Sequence, residues 1–206
     1  MHAAADAYSR RASEYTEKLG SMAAVHADDR LLVDSWAEQT RGPALDAGCG
    51  PGHWTHHLAS RGRTVLGIDI APAFIDHARS SYPSERFDVA DIDHLPHPDD
   101  SFGLVLSWYS TIHQTPDEIH RPLSEFARVL ARDGVLILGF FEGRTLESFD
   151  HAVTAAYRWP TSELATAVER AGFTVVETHH RTAPEHRPHG AIVARLQRRE
   201  ANAPEP

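Results

Sequence analysis

The sequence predicts an α/β domain: a mostly parallel sheet, helices on both faces, and one antiparallel strand near an edge. Three observations carry that expectation. From Ala44 onward, short apolar runs alternate with helical segments, the pattern of repeated βαβ units. The first run leads into a glycine-rich turn, Gly48-Cys49-Gly50-Pro51-Gly52, and then into a helix. The last two apolar runs are joined by residues 182–189, which include Pro184 and Pro188. Parallel neighbours need a crossover of a dozen or more residues, so the final strand must return as a hairpin.

The elements follow in order. Residues 1–40 read as a helical cap. Stretches 12–19 and 28–39 carry helix formers, and Leu31, Leu32, Ser35 and Trp36 give a narrow apolar stripe. Arg41-Gly42-Pro43 breaks the chain. Residues 44–47 form a first strand, 53–61 a helix stopped by Gly62, and 64–70 a second strand. A helix over 72–82 opens on Pro72, and a short third strand covers 86–90. The fourth strand, 102–108, is apolar on both faces. Thr115-Pro116-Asp117-Glu118 reads as a capping box, and Ile119, Leu123, Phe126 and Leu130 step as one buried helical face. Pro122 kinks this helix or begins its main part. A fifth strand covers 135–141, a helix 162–171, and the last two strands 173–178 and 191–196. The tail, 198–206, is polar and expected to be disordered.

Composition narrows the function. The length, 206 residues, suits one domain. With 41% hydrophobic and 24% charged residues the chain is ordinary globular material. No apolar run approaches the roughly 20 residues that span a bilayer. The first residues lack a basic start and apolar stretch, which predicts a cytoplasmic protein without a membrane partner. A net charge of −9 weighs against nucleic acid. Cys49 is the only cysteine, so an intrachain disulfide and a multi-cysteine zinc site are excluded.

The chemistry concentrates at strand ends. Leu45-Asp46-Ala47-Gly48-Cys49-Gly50-Pro51-Gly52-His53-Trp54-Thr55 is a strand, a tight turn and a helix start. Glycines there let the backbone turn and approach a ligand. The spacing is G-x-G-x-G; His53 stands where a dinucleotide fold wants its third glycine, and no P-loop lysine follows. Asp69 ends the second strand 17 residues beyond Gly52, where an acid can accept from both ribose hydroxyls of a nucleoside. Asp91-Ile92 follows the third strand. Asp91 can accept from an adenine amino group, and the Ile92 N–H can reach a ring nitrogen.

With these features in order, the chain resembles the class I S-adenosylmethionine-dependent methyltransferases, of the bacterial small-molecule type. The resemblance covers roughly residues 31–196. It implies a Rossmann-like, doubly wound, seven-stranded sheet in the order 3-2-1-4-5-7-6 with strand 7 antiparallel. It implies S-adenosyl-L-methionine as cofactor and S-adenosyl-L-homocysteine as product. Asp46, Gly48, Cys49, Gly50, Gly52, Trp54 and Thr55 would surround the methionine part, Asp69 the ribose, and Ile70, Asp91 and Ile92 the adenine. Ser107 and Trp108 would face the ammonium group, with Tyr15 and Met22 touching the cofactor. The implied activity is methyl transfer to a small-molecule acceptor, of a kind used in secondary metabolism.

The stretch from Ser107 to Gln114 supplies the catalytic candidates. His113 is a candidate general base, since an imidazole titrates near neutrality; its alternative is a buried structural histidine. Tyr109 either lines the pocket or packs. The Asn/Asp-Pro-Pro-Tyr/Phe stretch of amino-methylating DNA enzymes is absent. The cofactor domain spans 41–197, with 142–160 expected as a substrate-facing insertion. Tyr8, His26, Phe141, His151, Tyr157 and Trp159 are the candidate substrate contacts; alternatively these side chains stitch a cap to the domain. Among 15 histidines, His53 and His57 share a helical face as two zinc ligands would. No third ligand follows by spacing, so no metal is expected. Two rival readings remain at this stage: a nicotinamide-dependent oxidoreductase, and a cofactor-binding protein without chemistry.

Overall fold

The computed structural model describes Thr16 and residues 20–151, 154–183 and 186–197. Tyr8, Tyr15, nearly all of the expected 12–19 helix and the 198–206 tail lie outside these described residues. A short 3-10 turn, Met22–Ala24, precedes α1 (Ala27–Gln39). Then come β1 (Ala44–Ala47), α2 (His53–Ser60), β2 (Val65–Asp69), α3 (Pro72–Ser81) and β3 (Arg86–Val89). β4 (Phe102–Trp108), α4 (His120–Val129) and β5 (Leu130–Glu142) follow. The chain closes with β6 (Glu147–Phe149), β7 (Ala156–Trp159), α5 (Thr161–Arg170), β8 (Phe173–Ala183) and β9 (His186–Leu196).

The long strands lie in the order β3-β2-β1-β4-β5-β9-β8. β1 to β5 pair in parallel, and β9 runs antiparallel to both β5 and β8. This is the seven-stranded order expected, with the last strand reversed. β1 and β4 are central, and their near-continuous burial follows from helices on both faces. One core layer joins the sheet to α4 and α5 through Leu123, Phe126, Leu164 and Val168. The other joins it to α1 and α2 through Val33, Trp36, Trp54 and Leu58.

Several local expectations shift. In α1 the buried face is Val33, Trp36 and Ala37, whereas Leu31 is 67% exposed and Ser35 faces water. The helical spacing is right but the face is rotated by one residue. The capping-box residues pair only in part: Glu118 Oε2 accepts the Thr115 N–H at 3.4 Å and hydroxyl at 2.8 Å, while the Glu118 N–H donates to the Thr115 carbonyl and closes a turn. The helix proper begins at His120, and Pro122 lies in its first turn, where a missing N–H costs nothing. The connection 182–189 is mostly strand: β8 and β9 pair out to Ala183 and His186. Pro188 falls where the register shifts between Arg181 and Ala183, a place where a missing donor breaks no ladder.

The insertion 142–160 holds the β6–β7 hairpin. β4 ends its pairing with β5 at Trp108↔Gly139, and β7 takes over the same edge at Phe141↔Arg158. The hairpin therefore stands past the carboxyl end of β4. The Tyr157 N–H donates to the Ile112 carbonyl at 2.8 Å, tying it to the loop after β4.

Candidate active site

The site is built at the carboxyl ends of β1, β2, β3 and β4, where open α/β sheets bind ligands. β1 ends in the glycine turn. The Gly48 and Cys49 N–H groups both donate to the Ile68 carbonyl, each at 2.8 Å. Gly48 has φ +81°, and a Cβ there would lie 2.2 Å from Ser110 Cβ, so the residue is fixed by packing. Gly50 differs: its φ is +52°, yet an added Cβ would meet nothing within 4 Å. Gly50 is itself buried, so the turn leaves a space beside it where a side chain would otherwise stand. Gly52 caps α2. The Cys49 side chain is buried beside Ile75, Ala78 and Phe87. Burial, with the charges of Asp46 and Asp69, pushes its thiol well above the usual range, so no thiolate forms.

Two acids flank the turn. Asp46 is buried, and its Oδ2 accepts the Thr55 hydroxyl at 2.7 Å. Burial raises its carboxyl to about 7, against the Thr55 hydrogen bond and with the nearby Asp69 charge. Asp69 is partly buried, and its two oxygens accept from the Gly50 N–H at 3.0 Å and the Ala71 N–H at 2.8 Å. Burial outweighs those bonds and raises its carboxyl to about 6. Asp69 therefore pins the glycine turn to the end of β2. Ile70 follows it, partly buried at the bend before α3.

The loop after β3 is equally fixed. Asp91 Oδ1 accepts the Asp93 N–H at 2.9 Å, and the Ile92 side chain is buried in the core, leaving its backbone to serve the loop. Arg128 on α4 donates to the carbonyls of Leu95 (2.9 Å) and His97 (2.7 Å) while pairing with Glu125. The buried Gln114 amide donates to Asp93 Oδ1 at 2.8 Å, joining this loop to the one after β4.

After β4, Ser107 is fully buried and shares a 2.6 Å hydrogen bond with Ser110. Trp108 lies edge-on to Trp54, with ring centres 5.8 Å apart, in the α1 layer that also receives Met22. Trp54 is part of that core layer. Tyr109 has φ +59°, unusual for a non-glycine residue and a conformation that gathers at functional sites. Its N–H reaches the Gly139 carbonyl at 3.1 Å, and its phenol hydrogen-bonds His189 Nδ1. The Tyr109 ring packs on Phe141 at 5.0 Å, and Phe141 packs on Phe149 at 5.4 Å. His113 Nδ1 lies 2.8 Å from the Ala155 carbonyl, so Nδ1 carries the proton and Nε2 the lone pair. Burial lowers its pKa from the ordinary value, so the ring is neutral at pH 7. His151 lies against it, ring centres 5.4 Å apart.

The remaining sequence candidates scatter. His26 caps α1, its Nδ1 accepting the Asp28 N–H at 3.3 Å. Trp159 is buried in the α4–α5 layer, and Tyr157 is partly buried against it. His57 pairs with Asp34 at 2.7 Å, and burial lowers His53 to about 4. Among the described residues no group of three His, Cys, Asp or Glu side chains is arranged to hold a metal. Sequence reasoning did not select Arg158, Arg187 or His189, nor a groove of about 130 Å³ beside Tyr109. That groove runs between α1 and the β8–β9 hairpin and is bordered by the Asp29–Arg181 ion pair at 2.6 Å. These residues follow no motif; the hairpin geometry alone assembles them.

The fold is that of a class I S-adenosylmethionine-dependent methyltransferase domain. Residues 44–134 match the family model described as a methyltransferase domain. The chain is 30% identical over 150 residues to a malonyl-[acyl-carrier protein] O-methyltransferase of Yersinia pestis, covering 73% of this chain and 54% of that one. It is 33% identical over 134 residues to the protein of that name from Salmonella typhimurium, covering 65% and 51%. The chain thus spans about half the length of these curated relatives. Among solved structures it is similar to Burkholderia thailandensis 1,6-didemethyltoxoflavin-N1-methyltransferase, with TM-score 0.76 and 21% identity over 96% of this chain and 90% of that one. A TehB-like S-adenosylmethionine-dependent methyltransferase of Corynebacterium glutamicum gives TM-score 0.70 at 24% identity, over 93% and 100%. No described helix is long and apolar enough to cross a membrane.

Proposed function

We propose that this chain transfers a methyl group from S-adenosylmethionine to a small-molecule acceptor bound under a cap made by residues 1–40 and 142–160. The observation that carries the reading is the glycine turn, which leaves space beside Gly50 and is bordered by the carboxylates of Asp46 and Asp69. That arrangement fits a cationic nucleoside ligand, because space beside Gly50 and two carboxylates that burial raises meet at one strand end.

In this reading Asp69 accepts the two ribose hydroxyls, and Ile70, Asp91 and the Ile92 N–H hold the adenine. Asp46, Thr55 and the residues from Gly48 to Gly52 surround the methionine part. Trp54 backs that wall through Trp108. The backbone at Ser107 and Trp108 meets the ammonium group, and Tyr15 and Met22 close over the cofactor. When bound, the cofactor supplies a sulfonium methyl open to in-line attack. The protein's task is to align the acceptor behind that methyl and keep water out. Tyr109 and Phe141 hold the acceptor, with Tyr8, His26, His151, Tyr157 and Trp159 shaping the cap. His113 Nε2 takes the acceptor proton, its tautomer set by the Ala155 carbonyl.

Calorimetric titration with S-adenosylmethionine, S-adenosylhomocysteine and NAD tests the cofactor. Binding of the first two and not the third is expected; preferential binding of NAD refutes the reading. Labelled methyl transfer across a metabolite panel tests the chemistry. Malonyl thioesters on a carrier protein belong in that panel, since the relatives named above act on malonyl-[acyl-carrier protein]. Secondary metabolites belong there too. Cofactor binding without turnover of any panel member would mark a binding protein.

A further inference from the structure

Positive charge gathers at the far end of the ring wall above β5. Arg158 Cζ lies 4.6 Å over the Phe149 ring, and Arg187 Cζ lies 4.8 Å over the same ring and 5.8 Å over Phe141. Two guanidinium groups that near one ring stand less than about a Debye length apart and repel. Among the described residues the acid paired with them is Glu147, 3.4 Å from Arg158 and itself half exposed. Glu142 is occupied by His180 at 2.7 Å and by the Thr161 hydroxyl at 3.0 Å. Among the described residues Arg187 has no carboxylate within ion-pair distance. A guanidinium stacked on a ring keeps its N–H edge in plane, and that edge matches a carboxylate or phosphate in bidentate fashion.

We propose that the methyl acceptor carries an oxyanion, bound by Arg187 and Arg158, at a position separate from its methylated atom. This rests on the methyl-transfer reading above. The rings of Tyr109, Phe141 and Phe149 are spaced 5.0 and 5.4 Å along the wall, so the anion sits up to about 10 Å from the Tyr109 end. Tyr109 follows β4, the strand end assigned to methyl transfer. The anionic group is therefore a recognition handle, and the rings between handle and reacting atom favour an apolar or aromatic body. Carboxylate and phosphate share this chemistry, and both are tested.

The probes are 2-naphthoate, 2-naphthyl phosphate and neutral 2-naphthamide, titrated into protein loaded with S-adenosylhomocysteine. At least one oxyanion probe should bind about tenfold or more tightly than the amide, the scale of one charge-assisted hydrogen bond. The tighter of the two names the handle. Arg187→Gln should reduce that ratio below threefold, while Arg132→Gln, an exposed arginine near the start of β5, should leave it intact. Arg187 is exposed, so an unchanged unfolding midpoint controls for folding. A wild-type ratio below threefold, including no binding of any probe, overturns the proposal. So does a preference that survives Arg187→Gln combined with Arg158→Gln. Loading separates the two failures: protein that takes up no S-adenosylhomocysteine refutes the methyl-transfer reading as well.

Discussion

Asp69 offers a two-sided test of the cofactor site. Its carboxylate accepts two backbone N–H groups, from Gly50 and Ala71, and burial raises its pKa to about 6. If the ionised form alone accepts the ribose hydroxyls, cofactor affinity must follow its ionisation. The sign is fixed: binding strengthens as pH rises through 6 and is flat above the range of both acids. With a pKa near 6, roughly one site in ten is ionised at pH 5, so the Asp69 step alone should weaken Kd about tenfold there, or about 1.4 kcal/mol. Asp46, raised to about 7, adds a second, higher step. Asp69→Asn should remove the lower step and weaken plateau binding by roughly tenfold to a hundredfold, since hydrogen bonds to charged groups contribute about 1.5–3 kcal/mol. The amide offers one acceptor where two N–H groups need one, so the variant should also unfold about 1–3 kcal/mol more easily. The assay is calorimetry with S-adenosylhomocysteine from pH 5 to 8, with thermal unfolding of the free protein beside it. A Kd independent of pH, or an Asp69→Asn affinity within twofold of wild type at pH 8, would refute the reasoning.

Other outcomes follow from the same geometry. Gly50→Val should fold, at a cost of about 1–2 kcal/mol for a branched residue at φ +52°, yet lose cofactor binding; Gly48→Val should fail earlier, in folding, against Ser110. His113→Ala should slow single-turnover methyl transfer by roughly 10²–10⁴ with cofactor affinity nearly intact, and His113→Gln should do little better. Because burial lowers its pKa, the wild-type rate should already be on its plateau by pH 7, falling only in more acid solution; a loss below tenfold makes His113 structural. The free protein should lose stability as pH rises through the window from about 4 to 7, because the folded state then holds the protons of Asp46 and Asp69 longer than the unfolded chain. Thermal unfolding of wild type against Asp46→Asn across that window checks the sign.

The fold was legible because its signals are local and repeated. β4 shows as an unbroken apolar run, and the β8–β9 reversal follows from a connection too short to cross over. The acids at the ends of β1, β2 and β3 stand out because the glycine turn sets the frame for counting. Other parts were illegible for physical reasons. β6 is a three-residue strand with two exposed positions, too short to show alternation. The α1 face was misread by one residue because Leu31 looks like core and is solvated. Tyr109 at positive φ gives no sequence signal, since nothing but packing forces a tyrosine there. Arg187, His189 and Phe149 converge only through the pairing of two hairpins, a relation between residues about forty apart.

The two acids, Asp46 buried and Asp69 partly so, explain why glycine turn, β1 end and β2 end form a single device. A carboxylate out of water is unfavourable unless a positive charge or donors compensate it. Thr55 gives Asp46 one donor, and Gly50 and Ala71 give Asp69 two, yet both remain raised. The fold therefore holds two carboxylates whose ionisation it only partly supports. A cationic ligand at the turn supplies the missing charge, and the acids in turn gain from its arrival. Discrimination follows from the same balance. In the proposed reaction the ligand loses its sulfonium charge when the methyl leaves, so the acids favour the charged substrate over its neutral-sulfur product. Asp69 contributes again through the backbone, because the carboxylate assigned to the ribose also fixes Gly50, the point where the turn leaves space. In the proposed reading, binding the nucleoside and shaping the methionine pocket are thus one interaction network, and a change at either end must be felt at the other.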